Sequence, residues 1–241
     1  MSSIVRTGKV MIHDHAGVNA WDLNIHATRL SCAIANYQRR LPCLFREQPI
    51  NACIVPDAVF KSWFASESDA YCPPEARISV IPFACYGIVD DMIKFPASLL
   101  SLDAPQGWEW EGVSHEVLHA GSRRILDRGI KCGIAFCNID GKVDSTDKYF
   151  NEGITEHIRM NLGGAVVMNR YYPVAMAISD IAKRVGEDAV LSAYFGKDID
   201  PFINAVERAF GVGSYSAIKE LSRSVAKGHI EADRLSRILR G

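Results

Sequence analysis

The stretch Gly112-Val113-Ser114-His115-Glu116-Val117-Leu118-His119-Ala120 decides the reading. It lies in a segment from about Gly112 to Arg128 that reads as one helix, with Gly129 as its stop. His115 and His119 are four positions apart, so on a helix they share a face. Two imidazoles so placed can bind one Zn²⁺ at about 2.0–2.1 Å, and the adjacent Glu116 can reach a water activated there. His115 and His119 are therefore candidate metal ligands, and Glu116 is the candidate general base. A surface helix with two hydrogen-bonded histidines is the competing interpretation, and the third ligand separates the two.

A metzincin would need a third histidine six residues after His119. That position is Ile125, and Ser122 stands where its glycine would be. The better candidate lies downstream, in Asn151-Glu152-Gly153-Ile154-Thr155-Glu156. Glu152 and Glu156 are again four apart and share a helix face. One carboxylate can ligate the metal, while the other accepts the second ring N–H of a ligand histidine and so orients it. Two such acids repel by a few tenths of a kcal/mol, a cost that a nearby cation removes. The competing reading of this pair is an ordinary solvated acidic face.

The pattern His-Glu-x-x-His followed by Asn-Glu-Gly resembles the gluzincin metallopeptidases, the group of thermolysin-like enzymes and zinc aminopeptidases. The resemblance implies a zincin-like fold, a zinc cofactor and a peptide or protein substrate. It implies Glu152 as third ligand and Glu156 as a group behind the ligands. The stretch from Asn151 through Tyr194-Phe195 also looks like small bacterial zinc peptidase domains, some of them in polymorphic toxins and injected effectors. The resemblance covers His115 to Phe195 and leaves the first hundred residues unexplained. The gap from His119 to Glu152 is longer than is usual in the best-known gluzincins, which keeps Glu156 open as the third ligand.

Outward from these motifs, the chain reads as α+β. The expected form is a single domain over 1–241, with a mixed lobe to residue 150 that carries a small sheet and the histidine helix, then a helical lobe from 151. Trp21 to Arg40 reads as a helix, Pro56 to Phe64 as a short helix with proline in its first turn, and Arg77 to Pro82 and Asp91 to Phe95 as strands. Ile130, Cys132, Ile134 and Phe136 alternate and predict one strand, followed by a tight turn at Asp140-Gly141. Helices are expected over Asn151 to Leu162, Pro173 to Val185, Glu187 to Phe195, Pro201 to Phe210, Tyr215 to Ala226 and Ile230 to Leu239. Gly163, Gly186, Gly196 and Gly211 stand at the expected stops.

A hydrolase of this kind also needs a donor for the oxyanion of its tetrahedral intermediate. Tyr172 is favoured from the resemblance, because similar domains often carry a tyrosine just before this helix; Tyr171 and Tyr149 are alternatives, and each also reads as a core aromatic. His157 adjoins Glu156 but lies about 100° round the helix, so it reads as structural or rim. His13 and His15 would share a strand face, with no acidic or cysteine cluster beside them, and read as surface residues. Trp108 and Trp110 are expected to cover the start of the histidine helix. Arg123-Arg124 and Arg234 to Arg240 read as solvated helix faces.

A net charge of −1 and 48% apolar residues give no reason to expect nucleic acid or an anionic membrane as partner. No apolar run approaches the roughly 20 residues of a membrane span. Seven scattered cysteines suit a reducing compartment. Met1 to Val10 lacks the apolar core of a secretory signal, so the expectation is a cytoplasmic chain or one delivered by a dedicated secretion machine.

Overall fold

The computed structural model describes residues 3–67, 84–100, 107–138, 145–166 and 171–229, together with 235 and 239. The expected strand at Arg77 to Pro82, the turn at Asp140-Gly141, and the last helix apart from Leu235 and Leu239 lie outside the described residues. The fold is α+β, with eight helices and two sheets among the described residues. Packing divides the chain into two compact units, Met1–Gly121 and Ser122–Gly241.

The first unit is built on a mixed sheet. β1 (Ser3–Thr7) and β2 (Val10–Asp14) form an antiparallel hairpin. α1 (Ala20–Arg40) leads to β3 (Ile50–Val55), which lies parallel to β2. α2 (Asp57–Glu67) follows, then β4 (Cys85–Gly87) and β5 (Met92–Pro96); β5 runs parallel to β3 and antiparallel to β4. The strand order is β1-β2-β3-β5-β4.

α1 starts where expected because Asn19 caps it, its side chain accepting from the Trp21 and Asp22 N–H groups. Its apolar stripe, Leu23, Ala27, Leu30 and Ile34, is buried. Against the sheet, Phe60 of α2 packs with Cys53, Val55, Cys85 and Met92. Burial pushes the Cys53 thiol up to about 11, with the nearby Lys94 ammonium opposing the shift.

α3 (Gly107–Ser122) carries the two histidines, and the backbone of Trp108 and Trp110 lies in its first turns. Val113, Val117, Leu118 and Ala120 fix its buried side. Its end is clamped within the first unit. The Arg46 N–H donates to the Gly121 carbonyl at 3.0 Å, and a methyl on Gly121 would lie 2.0 Å from the Phe45 ring.

α3 stops at Ser122, six residues before the expected end. Residues that continue the apolar pattern are strand instead. β6 (Arg124–Leu126), β7 (Gly129–Cys132) and β8 (Ala135–Asn138) form an antiparallel meander. Gly129 therefore opens a strand, and Arg123-Arg124 are not a helix face. Ile125 is 72% exposed, so its apolar side chain supplies no helical core contact. The single strand expected over Ile130 to Phe136 is two strands, because Gly133 turns the chain at φ +59°.

Five helices complete the second unit: α4 (Ser145–Asn161), α5 (Tyr172–Val185), α6 (Glu187–Phe195), α7 (Asp200–Phe210) and α8 (Ser214–Ala226). α4 begins six residues earlier than expected and packs against α5, α6, α8 and β8. Phe150, Ile154 and Ile158 of α4 meet a core that includes Val174, Ile178, Val190, Phe195, Phe202 and Tyr215, all buried. Gly186 and Gly211 end their helices at φ +94° and +103°, as their positions in the sequence imply.

Candidate metal centre

His115 and His119 lie one turn apart on α3, 7% and 5% exposed. Their Nε2 atoms are 3.1 Å apart, so both can sit about 2.0–2.1 Å from one ion. A carboxylate oxygen of Glu152 completes the group: the ligand atoms of His115, His119 and Glu152 all lie within 4.8 Å of one another. Among the described residues this is the one cluster of three or more His, Cys, Asp or Glu side chains that can hold a metal ion. Two imidazoles and one carboxylate suit a borderline cation such as Zn²⁺, and three protein ligands leave a position for water or substrate. Glu116 follows His115 on α3 and is half-buried.

Glu152 and Glu156 differ in their neighbours. Glu156 is 1% exposed, and both its oxygens accept from Arg159, from Nε at 3.0 Å and from Nη2 at 2.6 Å. Arg159 is equally buried and also donates to the Ala165 carbonyl at 2.7 Å. Arg159 thus neutralises Glu156. Its position three residues after Glu156 is a helical pairing that the sequence displays but that the metal motif overshadows. Glu152 belongs to the ligand group and Glu156 does not.

α4 is held in place by buried polar contacts. The Ile134 N–H donates to Asn151 Oδ1 at 2.8 Å, and Thr155 Oγ1 bridges the Asn151 carbonyl and the Tyr194 hydroxyl. His157, 1% exposed, places Nε2 at 3.0 Å from the Glu187 carboxylate and 3.1 Å from Asn161 Nδ2. That hydrogen bond holds the Glu187 carboxyl below its ordinary value, against desolvation that raises it. Lys131, 3% exposed, donates to the carbonyls of Gly133, Ala193 and Tyr194, and burial pushes its ammonium down to about 8. No spacing in the sequence marks Lys131, which lies on a strand far in sequence from the helix end it caps.

Tyr172 is the first residue of α5, half-buried, with Pro173 in the opening turn. α5 runs hard against α4 at Gly153 and Val174, which brings its start alongside the turn of α4 that bears Glu152. Tyr171 is half-buried just ahead of α5. Tyr149 is 5% exposed, with Lys227 Nζ 5.4 Å from its ring. The rings of His13 and His15 lie parallel, 6.4 Å between centroids, and no third ligand group joins them among the described residues.

No protein-family model, no curated protein and no solved structure matches the chain. Among the described residues, no helix is long and apolar enough to cross a membrane.

Proposed function

We propose that the chain is a zinc-dependent metallopeptidase of the gluzincin type, zincin-like in architecture, acting on peptide or protein substrates. The observation that carries this reading is the convergence of His115, His119 and Glu152 ligand atoms, with Glu116 next to the first histidine. The ligand set and the glutamate together match what peptide hydrolysis requires, whereas a purely structural metal site has no use for Glu116.

His115, His119 and Glu152 would hold the ion. Bound there, Zn²⁺ supplies a lowered pKa for water and polarises a substrate carbonyl. Glu116 takes the proton of the attacking water and passes it to the leaving amine, so that the amine departs neutral. Tyr172 donates a hydrogen bond to the carbonyl oxygen as that oxygen gains charge.

The test is Glu116→Gln, assayed for cleavage of a peptide library with zinc content measured on the same preparation. The variant keeps zinc and loses turnover. Full cleavage by the variant removes Glu116 from its role. Zinc without cleavage in the unaltered chain would instead make it a metal-holding or peptide-binding module, and cleavage confined to non-peptide amides would make it another amide hydrolase.

A further inference from the structure

The turn between β7 and β8 donates two successive backbone N–H groups to two different elements. The Gly133 N–H donates to Ser122 Oγ at 2.7 Å, and the Ile134 N–H donates to Asn151 Oδ1 at 2.8 Å. Ser122 is the last residue of α3, three positions beyond His119. Asn151 immediately precedes Glu152 on α4. Both acceptors are buried, at 0% and 3% exposure, so neither bond is exchanged for water.

The turn is itself fixed. Gly133 adopts the left-handed region, and a methyl group there would lie 2.0 Å from Asn151 Oδ1 and 2.6 Å from the Tyr194 ring. Lys131 Nζ holds the Gly133 carbonyl and, through the Ala193 carbonyl at 2.6 Å, the end of α6. The Tyr194 hydroxyl in turn meets Thr155, which bonds back to the Asn151 carbonyl. The turn is thus held against both side chains by buried hydrogen bonds.

We propose that the Gly133–Ile134 turn is a positioning clamp, with Ser122 and Asn151 as the residues through which it sets the placement of the metal ligands. The inference rests on the metal site proposed above and adds residues that do not touch the ion. A change in the hydrogen bonds that support metal ligands typically lowers metal affinity about 10–100-fold. Asn151 acts on the neighbouring Glu152 through the backbone of one helical residue. Ser122 is the last residue of the helix that carries both histidines.

The experiment measures zinc affinity of the full chain by competition with a chromophoric chelator, alongside the thermal midpoint of the zinc-free form. Asn151→Ala and Ser122→Ala each weaken zinc binding about 10–100-fold. Asn151→Asp, which keeps an acceptor oxygen for the Ile134 N–H, stays within a few-fold of the unaltered chain. Val206→Ala removes buried volume from α7, away from the clamp, and lowers the midpoint without changing zinc affinity. If Asn151→Ala does not fold, Ser122→Ala carries the same comparison. Unchanged affinity in a folded alanine variant overturns the clamp alone, as does an equal loss in Val206→Ala or in Asn151→Asp. An unaltered chain that takes up no zinc overturns the clamp and the proposed function together.

Discussion

Gly153 of α4 meets Val174 of α5 so closely that a β-carbon on the glycine would lie 2.3 Å from Val174 Cγ1 and 2.8 Å from its Cβ. A glycine inside a helix forgoes about 1 kcal/mol of helix propensity relative to alanine. Here that loss permits close approach, one residue from Glu152 and two from Tyr172. Gly153→Ala therefore destabilises the chain, because forced overpacking costs about 1–3 kcal/mol and Val174 is too stiff to yield. Denaturant unfolding measures the change, and a midpoint at or above that of the unaltered chain would contradict the close packing.

How much of this was legible in the sequence depends on where the information lies. Periodicity and caps are local, so α1, α5, α6, α7 and α8 emerged with ends within a residue of those expected. His115 and His119 were legible for the same reason, as a pair four apart, whereas Glu152 came from the resemblance with Glu156 left open, because a ligand 33 residues downstream is joined to the pair only by the fold. The end of α3 was not, because Ile125 and Leu126 continue an apolar pattern that β-pairing with β7 overrides. The hairpin turn at Gly133 was hidden by alternation that runs through it from Ile130 to Phe136. Lys131, Ser122 and Asn151 act through contacts between elements far apart in sequence, and no local pattern records those.

Lys131 gives a pH prediction. Its ammonium lies at about 8 in the fold against an ordinary 10.5, with burial as the main cause. A lysine with a depressed folded value leaves the unfolded chain binding more protons between these two values, so stability rises with pH across that window. The stability advantage of the unaltered chain over Lys131→Met widens as pH rises from about 8 towards 10.5, in denaturant titrations run at several pH values. A gap that narrows over this range would contradict the assignment.

Glu187 behaves in the opposite range. Its hydrogen bond from His157 holds the carboxyl below the ordinary 4.5, so its stabilising contribution is full above 4.5 and lost as pH falls through the lower folded value. Glu187→Gln is therefore less stable than the unaltered chain at neutral pH, and the difference disappears in acid below 4.5. A difference that persists unchanged at low pH would exclude the pairing as its source.

Tyr172→Phe tests the oxyanion donor separately from metal binding. It leaves zinc content intact and lowers kcat about 10²–10³-fold, the usual effect of removing one such hydrogen bond. Peptide cleavage kinetics with the zinc-loaded variant supply the measurement. An unchanged kcat would move the role away from Tyr172, with Tyr171 the next residue to replace.

The most direct test of the central claim is metal content after equilibration with zinc and removal of excess. The expected result is about one zinc per chain, retained in Glu116→Gln and lost in His115→Ala, His119→Ala and Glu152→Ala. A chain that binds no zinc, or that holds it equally well when these three side chains are removed, has no zinc centre at His115, His119 and Glu152.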